Sequence, residues 1–141
     1  MAKKAGKTIP QIAKLLDAIS PPARLEILQS VGLGESCVCH LEAELGIRQA
    51  AISQHLMALR EAGIIKSRRD GRFMYYSILD PALLDLIRLA ARIAGVATDI
   101  PASTQTATIE RCHCPNCATV AAGKTKIYPS QLTKGENRPH D

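Results

Sequence analysis

A chain of 141 residues with 46% hydrophobic content holds enough apolar material for one cored domain with tails, and too little for two ordinary domains. Its 18 Lys and Arg against 13 Asp and Glu leave a formal net charge of +5, which favours a polyanionic partner. The only aromatic residues are Phe73, Tyr75, Tyr76 and Tyr128, too few for the stacking platforms of a single-strand binder, so a nucleic-acid partner is expected to be a duplex.

Residues 1–7 read as a basic tail, and Lys14 and Asp17 interrupt the apolar stretch that follows, so no signal-peptide core is expected. Thr8-Ile9-Pro10-Gln11 resembles a capping box, and Ile9, Ile12, Leu15, Leu16 and Ile19 recur at helical spacing. Ser20-Pro21-Pro22 stops this helix and is expected to cap a second one, with Leu25, Leu28 and Val31 on its apolar side and Gly32 and Gly34 at its end. Ser36 is expected to cap a short third helix running to about Leu45, with Val38, Leu41 and Leu45 on one face. Gly46-Ile47 breaks the chain sharply before a fourth helix from about Gln49 to Ala62. Ile52, Leu56 and Leu59 share its inner face, which leaves Gln49, Ala50, Ser53, Gln54 and Met57 for the other.

Ile64–Arg69 and Arg72–Ile78 are β-prone runs around Asp70-Gly71, a strong hairpin signal, and Tyr75 and Tyr76 read as packing residues of that hairpin. Pro81 opens a last helix with two adjoining apolar stripes, Leu83, Leu86, Ala90, Ile93 and Leu84, Ile87, Ala91, Ala94. Asp85, Arg88 and Arg92 on the same helix make it too costly for a bilayer, so the protein is expected to stay off membranes and in the cytoplasm. So broad an apolar face calls for a second copy, and a homodimer through the terminal helices, the first and the last, is expected. The domain is thus placed at 8–97. Residues 98–111 read as a linker, 112–117 as a Cys-rich segment and 118–141 as a flexible tail.

The expected fold class is mainly α with a small β-hairpin, in the order αα-αα-ββ-α: a winged helix-turn-helix. From Arg48 to Arg72 there are six basic residues against two acidic ones, so most of the excess charge lies on the fourth helix and the wing. Operator DNA is the expected partner. Gln49, Ser53 and Gln54 are candidates for base edges, with Ala50 beside them on the same face. Arg48, His55, Arg60, Arg68, Arg69 and Arg72 are candidates for the phosphates. His55 has no second ligand within a helical turn, which favours a phosphate or structural role over metal. A solvated helical hairpin with a charged loop is the plain alternative, and the conjunction of turn, wing, charge and broad terminal helix outweighs it.

Five cysteines without a secretory signal point to metal binding or redox sensing rather than a disulfide scaffold. Cys37 and Cys39 fall near the start of the third helix, where exposed amides favour thiolate. Two residues on a helix lie about 200° apart, so both sulfurs reach one ion only if the turn opens or the helix starts later. Cys112, Cys114 and Cys117 can supply further ligands, because the 15 residues from Ala97 to Arg111 reach up to roughly 50 Å when extended. A structural zinc knuckle with His113, or a redox tail releasing DNA through a disulfide to Cys37 or Cys39, is the competing use of these thiols. No βαβ unit flanks Cys114 and Cys117 as a thiol oxidoreductase requires, so no enzyme is expected and no catalytic residue is assigned.

Four segments together resemble the ArsR/SmtB family of bacterial metalloregulatory repressors: Glu35-Ser36-Cys37-Val38-Cys39-His40-Leu41, Ala51-Ile52-Ser53-Gln54-His55-Leu56, Leu59-Arg60-Glu61-Ala62-Gly63-Ile64-Ile65 and Asp70-Gly71-Arg72. The resemblance runs from the second helix to the last. It implies a homodimeric winged-helix repressor that leaves its operator when an inducer binds. It further implies a thiolate-bound inducer such as As(III), Cd(II), Pb(II) or Zn(II), with trivalent arsenic taking three thiolates. The sequence departs from the family pattern with Arg48 where a capping Ser is common, His40 where Asp follows the Cys-Val-Cys pair, and Ala43 where arsenic-sensing members have a third helix cysteine. The last helix also lacks the Asp/His ligand set of the zinc-sensing members.

Overall fold

The computed structural model describes residues 8–97 and Cys114. Five helices and three strands follow in the order α1 (Thr8–Ile19), α2 (Pro22–Val31), β1 (Glu35–Cys37), α3 (Val38–Leu45), α4 (Gln49–Glu61), β2 (Ile65–Asp70), β3 (Phe73–Ile78) and α5 (Ala82–Ile93). This is the expected winged helix-turn-helix with one added strand. The linker, Cys112, Cys117 and both tails lie outside the described residues.

The apolar spacing read from the sequence sets the core. Ile27 and Leu28 of α2, Leu41 of α3, and Ile52, Leu56 and Leu59 of α4 are completely buried together. Each such side chain contributes roughly 1.5–3 kcal/mol by leaving water. Ile65 of β2 and Leu83, Leu84 and Ile87 of α5 close the same cluster.

Two expected caps are corrected. The α2 N-cap is Pro21 with no side-chain cap hydrogen bond, so Ser20 does not serve there. Ser36 lies inside β1, and the α3 N-cap is Cys37, in extended backbone, whose sulfur accepts from the His40 amide. Serine has the higher cap preference in general, but β1 pairs with β3 and carries Ser36 into the sheet, which moves the helix start to Val38. A three-residue strand buried along its whole length shows no alternation in sequence, so nothing in the pattern separates it from a helix start.

The sheet is antiparallel throughout, in the order β1-β3-β2. Asp70 pairs with Phe73, so the two-residue hairpin loop is Gly71-Arg72 rather than Asp70-Gly71. Gly71 has φ 58° and Arg72 has no positive φ, the pattern of a type II′ turn with Gly at its first central position. In consequence β2 ends and β3 starts one residue later than expected, and β2 also starts one residue later, at Ile65.

Register and the two-residue period of strands then divide the side chains. Ile65, Tyr76 and Ile78 face the main core. Cys37, Tyr75 and Phe73 gather on the opposite face, in a second cluster with Cys39 and Cys114. Of the expected apolar stripes of α5, Leu83, Leu84, Ile87 and Ala91 are buried and Ile93 is exposed; outside those stripes Leu89 and Val96 are exposed as well, as are Ile9, Ile12 and Leu16 of α1.

Candidate functional site

Helix α3 ends where Gly46 turns left-handed, at φ 67°, and its amide donates to the Glu42 carbonyl. Only glycine takes that conformation without strain, so the break between α3 and α4 is written into one residue. Two residues later α4 begins with no side-chain cap on Arg48. Its inner residues Ile52, Leu56 and Leu59 are anchored in the core, so the outer face is fixed in orientation. Arg48, Gln49, Ala50, Ser53, Gln54, Met57 and Arg60 all lie exposed along it. Arg69 and Arg72 are exposed on the wing. The arrangement offers amide and hydroxyl groups for base edges on a helix of groove dimensions, flanked by guanidinium groups for phosphate.

Two of the candidate phosphate contacts are held by other groups. His55 is half-buried, and its Nδ1 accepts from Arg24 Nε at 3.4 Å, while Arg24 Nη1 donates to the Ala18 carbonyl at 2.8 Å. It thus ties α4 to α2 and the end of α1. Arg68 donates from Nε and Nη2 to the two carboxylate oxygens of Glu35, at 3.2 and 2.5 Å. Its guanidinium also lies over the Tyr75 ring, 4.7 Å from the centroid. The hydrogen bonds to the buried Glu35 carboxylate raise the pKa of Arg68 above its ordinary value.

The thiol pair sits at the junction of β1 and α3. Because α3 starts after Cys37 rather than before it, the two sulfurs are not held a helical 200° apart, and Cys37 Sγ lies 3.0 Å from Cys39 Sγ. Cys37 Sγ also accepts from the His40 amide at 3.4 Å. Cys37 and Cys114 are both buried, at 2% and 1% exposure, and pack in one cluster with Tyr75, so Cys114 of the same chain lies on this face. Among the described residues no three His, Cys, Asp or Glu side chains converge closely enough to hold a metal ion. The donor set nonetheless fits a soft ion. Zinc–sulfur bonds of about 2.3 Å in a tetrahedral site space the sulfurs about 3.7 Å apart, so Cys37 and Cys39 have to part by under roughly 1 Å to serve as two of its ligands.

His40, in the position where the resemblance leads one to expect Asp, is buried, and its Nε2 lies 3.4 Å from Glu44 Oε2. The hydrogen bond from His40, helped by one from Ser30, lowers the Glu44 pKa below the usual carboxylate value despite partial burial. The sequence reading missed Glu35, Tyr75 and Glu44 as parts of the site. A signal for the first existed: Glu35 and Cys37 two apart share one face of any strand that contains them.

Five helices, a three-stranded sheet with a basic hairpin, and a core-anchored helix with an outward polar face define a winged helix-turn-helix protein. Residues 21–67 match the family described as "Bacterial regulatory protein, arsR family". The chain is 36% identical over 81 residues to the transcriptional repressor SmtB homolog of Synechocystis sp., covering 57% of this chain and 61% of that protein. It is 37% identical over 83 residues to the probable mercury resistance operon repressor of Streptomyces lividans, covering 59% and 66%. The chain therefore spans somewhat under two thirds of the length of these relatives. The crystal structure of NolR from Sinorhizobium fredii superposes with a TM-score of 0.59 at 31% identity, covering 69% of this chain and 97% of that one. The chain belongs to the arsR family of bacterial regulatory proteins. Among the described residues no helix is long and apolar enough to cross a membrane.

Proposed function

We propose that this chain is a homodimeric transcriptional repressor that holds operator DNA with α4 and the wing, and lets go when a thiophilic ion binds its cysteines. The observation that carries this reading is the thiol pair, two sulfurs 3.0 Å apart at the first turn of α3, the helix that braces α4. The proposed DNA contacts are Gln49, Ser53 and Gln54 to base edges and Arg48, Arg60, Arg69 and Arg72 to phosphates, with Ala50 close to the groove floor. The proposed ligands are Cys37, Cys39 and Cys114, with Cys112 and Cys117 from the same tail.

As(III), Cd(II), Pb(II) and Zn(II) all match this sulfur set, and the name of the Streptomyces relative points to the same soft class of ion. Bound there, the ion supplies a centre that holds the sulfurs as thiolates. The chain's own part is to give up the thiol protons and to let the start of α3 shift, which re-aims α4 behind it. Dimerisation places two α4 helices on successive half-sites, and the exposed apolar residues of α1 and α5 are the surface for it.

The test is fluorescence anisotropy on a duplex from the chain's own promoter region, at fixed salt, titrated with each ion. A fall in affinity of about 5–150-fold is expected with at least one of them. C112S/C114S/C117S is expected to lose most of that response. An unchanged operator affinity at saturating ion overturns the sensing half of the reading. The packing of Cys114 against Cys37 favours one second reading, in which two thiols give two electrons and two protons to an oxidant and become a disulfide. Release by peroxide in metal-free buffer is its signature.

A further inference from the structure

Register puts Cys37, Tyr75 and Arg68 in one row across the sheet, on its three strands in turn. Glu35 lies two residues from Cys37 on β1 and hence on the same face. Arg68 reaches from β2 over the Tyr75 ring, without an intervening backbone contact between β1 and β2, to grip the buried Glu35 carboxylate with two hydrogen bonds. Arg69, next in sequence, points to the other face and is left exposed.

We infer that Glu35, Tyr75 and Arg68 form a latch that sets the angle of the wing against β1, and that it carries the state of Cys37 to the DNA. Arg68 on this view is a positioning residue and not a phosphate contact. A fork of two hydrogen bonds to a carboxylate is direction-specific, and it loses its fit when its partner moves by a fraction of an ångström. The β1 strand is only three residues long and buried throughout, so a pull on Cys37 at one end moves Glu35 at the other. The wing then follows through Arg68. The second half of this inference rests on Cys37 being an ion ligand as proposed above; the first half does not.

Three measurements on the full-length protein decide it. The first is hydrogen exchange of the wing amides, 66–76, in wild type, Glu35→Gln and Arg68→Ala. Both variants are expected to exchange about 2–30-fold faster there, with the α2–α4 core unchanged. The second is the salt dependence of operator binding. A latch leaves the slope of log affinity against log salt as it is, whereas a phosphate contact at Arg68 lowers the slope by about 1 in Arg68→Ala and leaves Glu35→Gln neutral or tighter. The third adds cadmium. Glu35→Gln is expected to keep the ultraviolet thiolate–cadmium absorption band of wild type while its cadmium-induced loss of operator affinity shrinks about 2–30-fold.

An unaltered wing in the first measurement, or the phosphate pattern in the second, overturns the latch. A full cadmium response in Glu35→Gln overturns its role in signalling. If wild type itself shows no response to cadmium, arsenite, lead or zinc, the sensing reading and the signalling role fall together, and the first two measurements still judge the latch.

Discussion

The outer face of α4 and the β1–α3 junction use polar residues in opposite ways. Along α4, Gln49, Ser53 and Gln54 point outward over a row of completely buried Ile52, Leu56 and Leu59. At the junction, Glu35, Ser36 and His40 are buried, and they are the only buried polar or charged residues of the described part apart from the cysteines and Tyr75. Water can satisfy an outward amide until a ligand replaces it. A buried carboxylate or imidazole has to find its partners inside the protein, and losing one costs the desolvation of the group. The α4 face is therefore held in reserve for an external partner, while the junction is committed to one internal arrangement and registers any disturbance of it.

The contrast can be broken at several points. Leu56→Ala removes the support under α4 and is expected to cost about 2–5 kcal/mol of stability, read from urea unfolding at unchanged slope. A loss well under 1 kcal/mol means that α4 is not core-anchored. Gln54→Ala leaves the fold intact and is expected to cost about 1–3 kcal/mol of operator binding but little on a scrambled duplex. Equal weakening on both duplexes assigns sequence reading elsewhere. In C37S/C39S the ion-induced change in operator affinity proposed for wild type, about 1–3 kcal/mol, is expected to vanish.

Smaller effects sharpen the picture. Arg72→Ala is expected to weaken operator and scrambled duplex alike and to lower the salt slope by about 1, as loss of one phosphate contact does. Glu44→Gln is expected to cost about 0.5 kcal/mol at neutral pH, since its hydrogen bonds to His40 and Ser30 are half open to solvent. The folded carboxyl titrates lower than the unfolded one. Its contribution is thus complete above the ordinary carboxylate range and is lost as pH falls through the lowered value. Thermal unfolding of wild type and Glu44→Gln should converge in acid; a gap that persists or widens there contradicts the assignment.

The helices were legible because periodicity at 3.6 residues is a local property: Ile52, Leu56 and Leu59 announce an inner face whatever packs on it. Gly46 and Gly71 marked their turns because a left-handed backbone is a demand on one residue. The candidate DNA-facing residues of α4 came with the helix, as what the apolar face leaves over. The start of α3 was not legible. Ser36 is a good cap by its own chemistry, and only the pairing of Glu35–Cys37 with β3, some forty positions away, draws it into a sheet and makes Cys37 the cap instead. That displacement by one residue separates two sulfurs bound to opposite sides of a helix from two sulfurs 3.0 Å apart. The grip of Arg68 on Glu35 is likewise a product of strand order, with β3 between them. Residue types and their spacing were sufficient for what each helix is. Which cysteines meet, and which arginine is paired with a buried carboxylate, depends on contacts between distant segments, and these exist only once the chain has folded.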